Sequence, residues 1–96
     1  MDAKGLRVMF RNRLPISKSK GYMAWLKQKY AYLDLHHVLG SNKTKLNDYL
    51  LCPISHELHM KIENGIEVPG YSFEEQLLIA VDNLIKYTQY LEENNV

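Results

Sequence analysis

Hydrophobic and polar positions follow two different periods along this chain, and the changes of period mark its elements. From Tyr22 the large side chains Tyr22, Trp25, Leu26, Tyr30 and Leu33 recur at helical spacing, which predicts an amphipathic helix over residues 21–30 with Trp25 as a core anchor. Leu33, Leu35 and His37 then alternate with Tyr32, Asp34 and His36, the period of a strand, and so put the adjacent histidines on opposite faces. Gly40-Ser41-Asn42 is turn chemistry, and Asp48 to Cys52 is the apolar run of a second strand that Pro53 is expected to stop. Ser55 suits an N-cap for a helix from His56 to Asn64, ended by Asn64-Gly65. Beyond the breakers of Gly65 to Tyr71, Ser72-Phe73-Glu74-Glu75 has the form of a capping box. Behind it Phe73, Leu77, Leu78, Val81, Leu84, Ile85, Thr88 and Leu91 make an apolar stripe, predicting a long helix over 72–93.

Upstream, Leu6, Val8 and Phe10 oppose Arg7 and Arg11 in a weak alternation that reads as a strand or an ordered basic arm. Pro15 argues against a central strand continuing to Ile16. Ser17-Lys18-Ser19-Lys20-Gly21 is a polar breaker in which either serine can cap the next helix. The element order is α+β, and 96 residues leave room for one domain. Its parts are a basic segment over 1–20, the helix over 21–30, a hairpin-plus-helix unit over 31–64 and the final helix over 72–93.

Charge changes the picture more than composition does. The net charge of +1 hides ten lysines and arginines against Asp2 and Asp34 in residues 1–46 (+8), and Lys61 and Lys86 against nine acids in residues 47–96 (−7). A basic half leading into His36-His37 is the footprint expected of phosphate-backbone contact, with Arg7, Arg11, Arg13, Lys27, Lys29, Lys43 and Lys45 as candidates. The other account is internal pairing with the acidic final helix, within the domain or across a homodimer. No window has the ~18 apolar residues of a membrane span, the N-terminus lacks an apolar signal segment, and one cysteine makes no internal disulfide. A cytoplasmic protein is the expectation.

Candidate chemistry is concentrated between Leu33 and His59. This stretch holds all four histidines (His36, His37, His56 and His59) and the only cysteine, Cys52. A tandem pair on a strand and His-x-x-His on the next helix form a two-element site, where one imidazole can take a proton while others hold a cation. His56 and His59, three apart, share a helix face. Asp34, one strand period from His36, suits a partner behind that histidine or a structural anion. Cys52 reads as a buried apolar residue.

His36-His37-Val38, then Asn47 five residues before Cys52, then His56 four residues after it, resembles the HNH (ββα-metal) nucleases in order and spacing. Leu33-Asp34-Leu35-His36-His37-Val38 is similar to the run that opens their motif, and Leu51-Cys52-Pro53-Ile54-Ser55-His56 to their LCxxCH segment; about a third of the chain is covered. Two positions depart from the family pattern. Ser55 stands where a second cysteine would complete a zinc knuckle, and Met60 stands four residues after His56, where the last ligand is usual. A thioether is a poor ligand for a hard cation, so His59 becomes the substitute.

The resemblance implies a ββα-metal core flanked by the two other helices, and a metal-dependent endonuclease acting on DNA, with RNA left open, of the small phage or prophage kind (host cytoplasm). It implies His37 as the general base and Asn47 as the group that fixes its ring. It also implies one divalent ion, Mg²⁺ or Mn²⁺ first and Zn²⁺ or Ni²⁺ next, held by His36, His56 and His59 with Asp34 behind them. Two other classes stand beside this one: an inactive HNH-like nucleic-acid-binding protein, and an interaction module that oligomerises through its final helix.

Overall fold

The computed structural model describes residues 19–40 and 48–94. Helix α1 spans Ser19–Lys29, strand β1 Asp34–His37, strand β2 Leu51–Ile54, helix α2 His56–Glu63 and helix α3 Phe73–Glu93. Among the described residues the chain is a small α+β fold in which one antiparallel hairpin stands among three helices. Among the described residues no helix is long and apolar enough to cross a membrane.

Local chemistry sets most boundaries. The Ser55 Oγ accepts from the backbone N–H of Leu58 (3.3 Å), which fixes the first residue of α2, and Gly65 leaves the helix at a φ of 75° that glycine adopts without steric penalty. Ser72 and Glu75 form the reciprocal capping box at the start of α3. Helix α1 already includes Ser19 and Lys20, ahead of the Gly21 expected, and Ser19 is buried.

The second strand corrects the sequence reading. Asp48 and Tyr49 form a helical turn, and β2 begins only at Leu51 and runs through Pro53, which faces Leu35 in the register Asp34↔Ile54, Leu35↔Pro53, His36↔Cys52, His37↔Leu51. Pro53 does not stop it, because each strand of a two-stranded ribbon is an edge whose outward side needs no donor. All four residues of β2 are buried, whereas those of β1 are half-buried. The outer strand is therefore the one that can present side chains to solvent.

Tyr22 and Leu26 of α1, Tyr49, Leu51 of β2, and Leu84, Tyr87 and Leu91 of α3 make the main core. Val38, Cys52 and Ala80 make a smaller one. The face that α3 buries is Gln76, Ala80, Asn83, Leu84, Tyr87, Thr88 and Leu91, about a quarter-turn from the centre of the apolar stripe. Its polar members are satisfied: Gln76 Nε2 donates to the Tyr71 carbonyl (2.7 Å), Asn83 Nδ2 to Ile79 (3.1 Å), and the Tyr30 hydroxyl to Asn83 Oδ1 (3.0 Å). Phe73 and Leu78 consequently stay exposed, and Leu77, Val81 and Ile85 half-buried.

Candidate metal centre

Asp34 and His36 are two residues apart on β1 and share a face of the ribbon. His56, His59 and Glu63 are spaced i, i+3 and i+7 on α2 and share a face of that helix. The two faces meet. Asp34 Oδ2 lies 2.8 Å from His56 Nδ1 and 2.9 Å from His59 Nδ1, while Glu63 Oε1 lies 3.1 Å from His59 Nε2 and 3.5 Å from His36 Nδ1. The rings of His36 and His59 stand edge to face with centroids 5.0 Å apart.

One ligand atom from each of His36, His59 and Glu63 falls within 4.8 Å of the other two. An ion about 2.0–2.2 Å from each nitrogen and oxygen requires ligand atoms roughly 3.0–3.5 Å apart; both separations from Glu63 meet that requirement, whereas that between His36 and His59 is bounded only at 4.8 Å. Two imidazoles and a carboxylate on one side of an ion leave its other positions open to water or substrate. Asp34 sits on the Nδ1 side of His59 and Glu63 on its Nε2 side, so an ion at Nε2 would have a carboxylate behind its histidine.

Electrostatics fit the same use. Burial, followed by the neighbouring His59, holds His36 below the usual imidazole range despite the opposing pull of Glu63, so its neutral, ligating form prevails. Hydrogen bonds from His59 and then His56 hold Asp34 below the usual carboxylate range. A cleft of about 560 Å³ opens over the group, lined by Leu35, His36, His37, Leu39, His59 and Glu63 among others. A second concavity of about 580 Å³, between the end of α2 and the start of α3, has no histidine in its wall.

The remaining predicted residues take other positions. His56 is mostly exposed, outside the three-ligand group, and buttresses Asp34. His37 lies with its Nε2 3.3 Å from Asp48 Oδ1, and the Ser19 hydroxyl donates to the other oxygen of Asp48 (3.5 Å). Lys27 and Lys29 are exposed on α1. Arg7, Arg11, Arg13, Lys43, Lys45 and Asn47 lie outside the described residues. Sequence reasoning passed over Glu63 and Asp48. Glu63 had a signal, since it stands one helical turn after His59 on the same face; Asp48 had none beyond its place before β2.

Comparison with protein-family models, with curated proteins and with solved structures gives no match for this chain.

Proposed function

We propose that this protein is a metal-dependent nuclease of HNH type that hydrolyses phosphodiester bonds in DNA. The observation that carries the reading is the meeting of His36, His59 and Glu63 at ligand spacing across a hairpin and the helix that follows it. The HNH pattern has a ligand four residues after its helix histidine. His59 and Glu63 have that spacing, so taking His59 as the helix ligand restores it at the cost of the four-residue step from Cys52 to His56. An imidazole pair with one carboxylate suits Zn²⁺, Ni²⁺ or Mn²⁺ better than Mg²⁺, which prefers oxygen ligands.

On this reading His36, His59 and Glu63 would hold the ion, with Asp34 orienting His59. When bound, it would supply charge stabilisation to the scissile phosphate and the departing oxygen. His37 is the base: its Nε2–H donates to Asp48, which leaves Nδ1 free to take a proton from the attacking water. The new bond joins that water oxygen to phosphorus, the bond to the 3′ oxygen breaks, and solvent protonates the leaving group.

The test is nicking of supercoiled plasmid with Zn²⁺, Ni²⁺, Mn²⁺, Mg²⁺ or chelator. Cleavage should require a divalent ion and vanish in His59→Ala and Glu63→Ala. A parent that binds DNA without cutting it in any ion, or a His37→Ala variant that cuts like the parent, overturns the catalytic assignment.

A further inference from the structure

The aromatic residues shared by α1 and α3 continue from the core to the surface. Tyr22 is stacked toward Trp25 (centroids 6.1 Å), Trp25 meets Tyr87 (5.2 Å) and Tyr90 (5.9 Å), and Tyr87 lies nearly parallel to Tyr90 (6.1 Å, 18°). Exposure rises along the series, from 0% at Tyr22 and 9% at Tyr87 to 40% at Tyr90. The Lys29 ammonium stands 4.9 Å from the Trp25 ring centroid and 5.7 Å from that of Tyr30.

We propose that this face binds single-stranded nucleic acid, with bases stacking on Tyr90 and Trp25 and a phosphate meeting Lys29. Charge selects the partner: the cation standing over these rings is Lys29, and α1 carries no acidic residue in its first turn. A base offers a π-face and its backbone a phosphate at each step, so one polymer satisfies both the rings and the ammonium group. An acidic peptide would use the lysine and leave the rings uncovered. A duplex keeps its base faces inside its own stack, where side chains reach only the edges. The Lys29 contact with Trp25 is of the weak, solvent-exposed kind and yields readily to a phosphate. This inference rests on the nucleic-acid reading above for its choice of polymer, but no metal ligand takes part in it.

Trp25 is the only tryptophan, so its fluorescence reports this face alone. The full chain, in chelator, is titrated with a short thymidine oligonucleotide and separately with a duplex of equal length. The single strand should quench Trp25 saturably and more tightly than the duplex. Tyr90→Ala should weaken binding about tenfold, and Lys29→Ala should lower the salt slope by about one ion. Lys61→Ala, exposed on α2, should bind like the parent. Absence of quenching, equal affinity for duplex, or parental binding by both Tyr90→Ala and Lys29→Ala overturns the proposal. Lys29 is exposed and lies outside the buried core, so its variant remains informative if Tyr90→Ala fails to fold. Cleavage without quenching rejects this face and spares the metal centre; quenching without cleavage does the reverse.

Discussion

Helices α2 and α3 are held in opposite ways. Helix α3 has 21 residues and buries seven of them, among them Ala80, Leu84 and Leu91. Helix α2 has eight residues and buries none. It is fastened by the Ser55 cap and by imidazole–carboxylate contacts to β1. An isolated helix of two turns is unstable in water, so the polar groups proposed to bind the ion are also what seats α2. The helix that builds the core and the helix that carries the chemistry are different helices, which lets one be altered without the other.

The comparison fails if core and site respond alike to substitution. Leu84→Ala removes a fully buried side chain from the main core, and by the large-to-small rule it should lower stability by about 2–5 kcal/mol in a denaturant titration. Glu63→Gln should leave the same titration nearly unchanged while weakening Zn²⁺, measured by competition with a chromophoric chelator, by more than about 100-fold. Asp34→Asn keeps the shape but loses the carboxylate behind His59, and should weaken Zn²⁺ by the ~10–100-fold typical of such outer partners. A Zn²⁺ affinity indifferent to both would remove the proposed centre and leave α2 as a polar cover for β1.

What the sequence made legible divides along the same line. The two capped helix starts, the strand period around His36 and the α+β order depend on neighbours a few residues apart, and those are visible in a linear chain. The buried face of α3 was not, because its apolar stripe is wider than the surface available to cover it. Gln76 and Asn83 take inner positions on the strength of hydrogen bonds to carbonyls and to Tyr30. Pro53 looked like a strand end because the rule that excludes it applies to central strands, and a hairpin has none. At the candidate site the histidines drew attention to themselves. The separation between Glu63 and His36, however, depends on the angle at which α2 leaves β2, and no local pattern encodes that angle.

Ser55→Ala sharpens the comparison further. The cap contributes about 1 kcal/mol to α2, and its loss should appear as faster amide exchange confined to residues of that helix. A separate reporter for the core is available in Cys52, which is fully buried against Val38 and Ala80, with burial pushing its thiol up to about 11. Such a thiol is nearly all protonated at neutral pH and reacts with an alkylating reagent only when β2 parts from α3. Leu84→Ala should therefore accelerate labelling, by about tenfold for each 1.4 kcal/mol lost. Ser55→Ala should label at the parental rate, since α2 can detach without uncovering Cys52. An acceleration of about fivefold, the amount that 1 kcal/mol would give if the whole chain opened at once, would mean that α2 and the core unfold as one unit. The separation of the two helices would then be one of composition only.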